Sequence, residues 1–176
     1  MKKAQEIFDI LKSEFDDAII SISTETPTEP MISVDPLKIC GVSLFLRNNT
    51  ELQFDSLMNL SGVDDANGEK GKVESDLDLI TGGTLSVYYH LHSTKINHKI
   101  TLRVSAPREN PEVESVESIW KTANWHEREA YDMYGIKFLN HPDLRRILMP
   151  YDWDAGYPLR KDYKSPEYYH GMKIPY

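Results

Sequence analysis

Two neighbouring stretches of this sequence, residues 85–92 and 100–105, alternate between apolar and polar side chains. Successive side chains of a β-strand point to opposite faces, so this alternation predicts a sheet with one packed face and one solvated face. The link between the two stretches, residues 93–97, is short enough to make them an antiparallel hairpin. The rest of the chain must therefore supply elements that cover the apolar face of this hairpin.

Two amphipathic helices are predicted ahead of the hairpin. Residues 3–15 carry apolar side chains at helical spacing. Asp35 and Pro36 indicate a second helix start, because Asp accepts hydrogen bonds from free amides and Pro is tolerated at the first helical position. This second helix is predicted to end near Arg47. The other predictions are strands at residues 18–23 and 54–63, a loop at 24–30, and a loop or ragged hairpin at 62–78.

The last part of the chain, residues 141–176, differs in composition from the rest. It holds five of the ten prolines and six of the ten tyrosines, with six Lys and Arg against five acidic residues. Proline lacks a backbone donor and interrupts regular pairing, so this segment is predicted as an extended tail. The fold class is α+β, a small and mainly antiparallel sheet with helices on one face, followed by the tail. The predicted units are a compact domain at 1–110, a helix and turn at 111–140, and the tail at 141–176.

Charge and cysteine content argue against several classes of function. The chain has 20 Lys and Arg against 28 Asp and Glu, a net charge of −8, which disfavours a general nucleic-acid binder. Cys40 is the single cysteine, so a disulfide within the chain and a cysteine-ligated metal cluster are excluded. The longest apolar stretch, residues 39–46, is too short to span a bilayer, and Glu6 and Asp9 interrupt any signal peptide. We expect a cytosolic chain that meets a membrane only through partners.

Three histidines, His90, His92 and His98, fall on the predicted hairpin. The first two share a face of one strand, and the third lies across the hairpin. No carboxylate or cysteine stands at a spacing that would complete a metal site, and histidines are common on the solvated face of a sheet. We predict no metal ligands here.

Residues 111–135 carry apolar side chains every three or four positions and are predicted as one long or broken helix that Gly135 ends. Glu127 is the one acidic residue on this apolar stripe. A buried carboxylate must be paired or hydrogen-bonded, or its pKa rises until it is neutral. Arg145 and Arg146 are candidate partners, which makes Glu127 either half of a structural ion pair or a general acid or base. Arg128 and Asp132, four residues apart, are predicted to pair along the helix.

The motif residues then allow a resemblance to be stated. Residues 120–138, with Trp120, the run 123–138 and the following 141–148, resemble the signature of the C subunit of NADH:quinone oxidoreductase, respiratory complex I. Residues 152–163 resemble the tail of that family. Asn140 stands where the family usually has Gly, and Asn tolerates the left-handed backbone that such a turn requires. Tyr157 stands where the family often has His.

The resemblance implies a non-catalytic subunit of the peripheral arm, on the cytoplasmic face of the inner membrane. It would scaffold the quinone-site subunit and the terminal iron–sulfur subunit, while the complex passes electrons from NADH through FMN and iron–sulfur clusters to quinone and translocates protons. FMN and the clusters would belong to partner subunits, and this chain would hold no cofactor. An equivalent subunit of a ferredoxin-fed quinone reductase, or of a membrane-bound energy-conserving hydrogenase, is the alternative.

The resemblance also implies roles for single residues. Glu127 and Glu129 would pair with Arg145 or Arg146 to hold the turn, and Trp120 and Trp125 would fix the helix to the sheet. The motif and structural residues are Trp120, Trp125, Glu127, Arg128, Glu129, Tyr131, Asp132, Gly135, His141, Pro142, Asp143, Arg145 and Arg146. The partner-docking residues would be Asp152, Trp153, Pro158, Leu159, Arg160, Lys161, Asp162 and Tyr163.

Two other classes of function compete with this one. A free-standing enzyme would use Glu127, Glu129 and His141 as acid, base and orienting group, but such carboxylates need a defined pocket that the sequence does not show. The other class is a binding module unrelated to respiration.

Overall fold

The structure is a computed structural model of the chain and describes residues 2–24, 29–72 and 78–174. In these ranges it has three α-helices, α1 Ala4–Glu14, α2 Ile39–Asn48 and α3 Ala123–Tyr134, and one short 3-10 helix, Asp16–Ala18. The strands are β1 Ile19–Ser23, β2 Met31–Val34, β3 Ser56–Asp64, β4 Glu69–Lys72, β5 Asp78–Thr81, β6 Thr84–Ser93, β7 His98–Pro107, β8 Glu112–Glu114, β9 Lys137–Leu139, β10 Tyr168–Tyr169 and β11 Met172–Lys173.

A five-stranded sheet with the order β1-β2-β7-β6-β3 forms the centre of the molecule. The predicted hairpin is confirmed as β6 and β7, which pair antiparallel with Tyr89 opposite Leu102 and Val87 opposite Val104. The sheet is mixed, because β2 runs parallel to β7 while the other pairings are antiparallel. Strand β2 was missing from the sequence prediction, since four residues between a loop and a helix start give too short a pattern.

One hydrophobic core joins the helices to the apolar face of the sheet. Ile7 and Leu11 of α1, and Val42 and Leu46 of α2, are fully buried against it. The predicted first helix is confirmed, and α2 begins at Ile39, after a turn at 35–38 in which Leu37 N–H donates to Asp35 Oδ1 (2.7 Å). The α+β class is therefore confirmed.

The long or broken helix predicted over residues 111–135 is wrong in its first half. Residues 112–114 form β8, which pairs in parallel with β9, and residues 115–122 form turns. Val113 is buried while its two neighbours are partly exposed, which is the alternation of a strand. The turns also bury Val116, Ile119 and Trp120, so the apolar spacing of this segment fits both structures. Only α3, from Ala123, is helical.

The described residues of the segment 62–78 form more regular structure than a loop. Strand β3 continues to Asp64, and β4 pairs with β5 as an antiparallel hairpin, one of the two structures predicted there. Residues 73–77 of that segment, and 25–28 of the predicted loop at 24–30, lie outside the described residues.

The turn after α3 has the left-handed backbone that the sequence indicates at two positions. Gly135 has a φ of +77° and ends α3, and Asn140 has a φ of +64° in the following turn. A Cβ atom at Gly135 would lie 2.5 Å from the Tyr157 ring, so the tail packs closely on this turn. Residues 141–174 otherwise form turns and the short β10–β11 pair.

Candidate functional site

Helix α3 carries six of the thirteen motif residues, and their side chains lie in different environments. Glu127 and Asp132 are fully buried, whereas Trp125 is 63% exposed. The helix packs against β3, and the chain that follows it returns across its surface. These buried and exposed groups define two kinds of candidate site.

The Glu127 carboxylate binds the turn that precedes α3. Its Oε2 accepts a hydrogen bond from the Ser115 hydroxyl (2.6 Å) and its Oε1 accepts one from Val116 N–H (2.8 Å). Burial raises the pKa of Glu127 to about 7, against these two hydrogen bonds, which favour the ionised form. The predicted partners were wrong, because Arg145 pairs with Asp143 and Arg146 pairs with Asp132.

His141 supports the same region from the other side of the turn. Its Nε2–H donates to the carbonyl oxygen of Asn124 (3.2 Å), and its Nδ1 accepts from Asp143 N–H (3.1 Å). Burial is the main cause that lowers the pKa of His141, so the neutral ring with a proton on Nε2 fits both contacts. Its Nε2 lies 3.9 Å from Glu127 Oε2. His141 thus ties the start of α3 to the turn after Pro142.

Asp132 receives four hydrogen bonds from the start of the tail. Oδ1 accepts from Arg146 Nη1 (2.7 Å), and Oδ2 accepts from the backbone N–H groups of Ile147 (2.9 Å), Leu148 (2.7 Å) and Met149 (3.0 Å). Burial opposes ionisation here, but these hydrogen bonds outweigh it and lower the pKa of Asp132. We call this arrangement the Asp132 latch, residues 132 and 146–149.

The predicted ion pair between Arg128 and Asp132 along the helix is wrong. Arg128 does not pair with Asp132; its Nη2 donates to Asp143 Oδ2 (2.7 Å) instead. Asp132 is buried under the tail, and the four donors there satisfy its carboxylate without a partner on its own helix.

A second buried ion pair fastens the later part of the tail. Arg108 Nη1 lies 2.6 Å from Asp64 Oδ1, and Arg108 Nη2 also binds the Asp162 carboxylate. Asp64 Oδ2 accepts from Lys161 N–H (2.8 Å). Burial opposes ionisation of Asp64, but Arg108 and the backbone donors lower its pKa. We call residues 64, 108 and 162 the Arg108 triad.

The Arg108 triad was not foreseen from the sequence. Asp64 ends β3 and Arg108 follows β7, and both strands pair with β6, so the two residues lie at the same end of these three strands. The register of the three strands would have predicted this closeness, but single-sequence patterns do not fix that register.

Several residues predicted to dock a partner make their described contacts within this chain. Leu159 N–H donates to the Met133 carbonyl (3.1 Å), and Arg160 Nε donates to the Tyr134 carbonyl (2.7 Å). Tyr163 N–H donates to the Arg160 carbonyl (3.1 Å), within the same turn. Contacts of these residues with another subunit stay a prediction.

Asp152 and Trp153, two further predicted docking residues, belong to a cluster at the end of the tail. The Trp153 ring is buried against Tyr169, with centroids 5.4 Å apart. Asp152 accepts hydrogen bonds from the Tyr169 hydroxyl (2.7 Å) and His170 Nε2 (2.8 Å). Pro158, another predicted docking residue, is half-buried.

The two motif tryptophans have different environments. Trp120 is buried, and its Nε1–H donates to the Phe54 carbonyl (3.1 Å), although it lies in the turn before α3. Trp125 does not fix the helix to the sheet as predicted. Its ring faces solvent on one side and the Arg128 guanidinium on the other, 5.1 Å from the ring centroid.

The remaining predicted residues lie around α3. Glu129 lines a cavity of about 270 Å³ with Asn59, Ser61 and His126, away from both predicted arginine partners. The Tyr131 carbonyl accepts from Gly135 N–H (2.8 Å) where the helix ends.

Each of the three hairpin histidines contacts a different residue in the structure. The His98 ring is buried and bonds the Leu52 carbonyl, while His90 bonds Thr101 and His92 contacts Asn97. In the described ranges no group of three or more His, Cys, Asp and Glu residues is arranged to hold a metal ion. Across the same ranges, the helices are too short or too polar to cross a bilayer.

Comparison with known proteins identifies the family. The sequence model described as respiratory-chain NADH dehydrogenase, 30 kDa subunit, matches residues 32–169. The chain belongs to this family. The resemblance seen in the sequence motifs is thereby confirmed.

Curated relatives agree over most of the chain. The C subunit of NADH-quinone oxidoreductase from Chloroherpeton thalassium is 44% identical over 168 residues, which cover 95% of this chain and 63% of that protein. The corresponding protein of Chlorobium phaeobacteroides is 39% identical and covers 100% and 98%. The C subunit of F420H2 dehydrogenase from Methanosarcina mazei is 37% identical, with 92% of each chain covered.

Solved structures share the fold. A trypsin-resistant fragment of Nqo5 (1–134) superposes with a TM-score of 0.57 at 22% identity, over 81% of this chain and 100% of the fragment. A chain of the membrane-bound sulfane sulfur reductase, an archaeal respiratory membrane complex, gives 0.59 at 20% identity, over 93% and 86%.

Proposed function

We propose that this chain is a non-catalytic peripheral-arm subunit of a proton-translocating NADH:quinone oxidoreductase. It scaffolds the quinone-site subunit and the terminal iron–sulfur subunit, while electrons pass from NADH through FMN and iron–sulfur clusters held by partners. It lies on the cytoplasmic face of the cell membrane and meets the membrane through those partners. Membership of the 30 kDa subunit family over residues 32–169 is the observation that carries this proposal.

The geometry of the motif carboxylates supports a structural role. Glu127 and Asp132 are fully buried, and their oxygens accept hydrogen bonds from neighbouring turns. A catalytic carboxylate must come within hydrogen-bond reach of a substrate proton, and these two are covered by protein. Glu127 holds the turn before α3, and Asp132 holds the start of the tail against α3. Both contacts fix the shape of the outer surface of the subunit.

The relatives of this chain belong to complexes with different electron donors. The relatives include C subunits of both NADH-quinone oxidoreductase and F420H2 dehydrogenase at similar identity, so two donors are represented among them. The second candidate is accordingly the equivalent subunit of a complex fed by another reduced carrier, such as ferredoxin, or of a membrane-bound hydrogenase. In both cases this chain performs the same scaffolding.

A tagged copy of the full chain, purified from gently solubilised native membranes, tests the proposal. We expect iron–sulfur subunits to co-purify and the preparation to reduce a quinone analogue with NADH. Activity with reduced ferredoxin but not NADH would select the second candidate. Recovery of the chain alone, without iron or flavin absorbance, would overturn both.

A further inference from the structure

We infer that the face formed by the exposed residues Trp125, Asp143 and Arg145, above the buried Arg128, docks onto another subunit of the complex, at a surface that presents a carboxylate beside an apolar recess. We call these four residues the Trp125 patch. The inference rests on the proposed function, because it assigns a particular surface of the subunit to its assembly.

Trp125 is a large aromatic side chain that the fold leaves exposed on α3. Its surface is 63% exposed, while Ala123, Glu127 and Ala130 on the same helix are buried. A tryptophan can bury about 150–250 Å² in a contact, which makes it one of the strongest anchors of protein interfaces. Exposed on α3, this ring contributes little to the core and is available to a partner.

The Trp125 patch is held in place by a continuous set of contacts. The Arg128 guanidinium lies 5.1 Å from the Trp125 ring centroid and binds Asp143 (2.7 Å), which also binds Arg145 Nε (3.1 Å). His141 fixes the backbone N–H of Asp143 (3.1 Å). Groups ordered before binding lose less conformational entropy on association, so this surface is prepared for a contact.

The charge of the Trp125 patch indicates the chemistry of its partner. Two guanidinium groups share one carboxylate, which leaves positive charge on a chain whose net charge is −8. The Arg145 side chain is 71% exposed and, like all arginines, suits a carboxylate acceptor. The net charge of −8 on the whole chain opposes an extended anionic lipid surface, whereas a single carboxylate on a protein can pair with Arg145, so a protein surface fits better than a membrane.

Photo-cross-linking from the patch identifies its occupant directly. A benzoylphenylalanine placed at position 125 of the tagged chain is illuminated in native membranes, and the control places it at Leu44, an exposed position of α2. We expect a cross-link to a different subunit from position 125 and none from position 44. A cross-link to a second copy, to lipid alone, or to nothing in an otherwise intact complex would overturn the inference.

Substitutions measure how much the patch contributes. Trp125→Ala and Arg145→Glu are expected to lower the recovery of partner subunits after a salt wash by about ten-fold or more, the effect of losing an interface anchor. Leu44→Ala and Lys99→Glu are the matched controls on other exposed surfaces and should leave recovery unchanged. Equal recovery for all four variants would refute the patch. Failure of the unaltered chain to bring down any subunit would instead refute the proposed function.

Discussion

Two Asp–Arg pairs lie next to α3 and use the same chemistry in opposite surroundings. Asp132 is buried beneath the tail, where its carboxylate binds Arg146 and three backbone N–H groups. Asp143 and Arg145 face solvent, at 49% and 71% exposure. Removing a partner from a buried pair leaves a desolvated group uncompensated, whereas exposed pairs contribute about 0–1 kcal/mol. The first pair therefore holds this chain together, and the second is free to serve a partner.

The largest effect is expected where both partners of a pair are buried, in the Arg108 triad. Arg108→Ala leaves Asp64 without its cation, and we expect the free energy of unfolding to fall by about 3–5 kcal/mol. Urea denaturation measures it. Arg103→Ala is the control, since Arg103 pairs with Asp65 (3.1 Å) in a more exposed position. An equal loss of unfolding free energy in the two variants would show that burial does not make the Arg108 pair more important for stability than the Arg103 pair.

The next largest effect is expected in the Asp132 latch. Asp132→Asn should lower the free energy of unfolding by about 3 kcal/mol, because the amide lacks the charge that Arg146 and the backbone donors bind. Glu51→Gln removes an exposed pair with Lys2 and should leave the free energy of unfolding nearly unchanged.

The latch also has a pH dependence of known sign. The pKa of Asp132 is lowered in the folded state, so its stabilisation is present above about pH 4 and is lost as the pH falls further. The difference between the chain and Asp132→Asn in urea denaturation should therefore shrink in acid. A constant difference would argue against the ionised latch.

Glu127 should show the opposite pH dependence. Its folded pKa of about 7 lies above that of an unfolded glutamate, so the folded state holds the proton more tightly and stability falls as the pH rises from about 4.5 to about 7. Glu127→Gln cannot ionise, and we expect it to remove about 2 kcal/mol of stability change between pH 5 and pH 8. An unaltered profile in Glu127→Gln would refute this assignment.

The smallest effect on folding is expected in the Trp125 patch. Arg145→Ala breaks its exposed ion pair with Asp143 and should lower the free energy of unfolding by less than about 1 kcal/mol in urea. A loss as large as that of Asp132→Asn would erase the distinction between the two pairs.

Local patterns predicted the local parts of this fold. The alternation at 85–92 and 100–105 gave the hairpin, the helical spacing at 3–15 gave α1, and Gly135 ended α3 where expected. In each of these cases the signal lies within one element or its end. The segment 112–122 was mistaken because its apolar spacing fits a helix and also a strand followed by turns.

Partners of charged residues were not predictable in the same way. The spacing rule paired Arg128 with Asp132, but each finds a stronger partner that folding brings from residues 143–149. Trp125 shows the converse. It lies off the apolar stripe that includes Glu127 and Ala130, and its exposure agrees with that periodicity rather than with the anchoring role implied by the resemblance.

The central claim is that this chain supports the assembly and leaves the chemistry to partner subunits. Glu127 offers the most direct test, since it is a buried acid of the motif with a pKa of about 7, the value that proton-transfer chemistry would favour. The measurement is the quinone-reduction rate per flavin of the purified complex carrying Glu127→Gln. We predict an unchanged rate with all subunits present; a rate reduced ten-fold or more in a complex of full composition would contradict the claim.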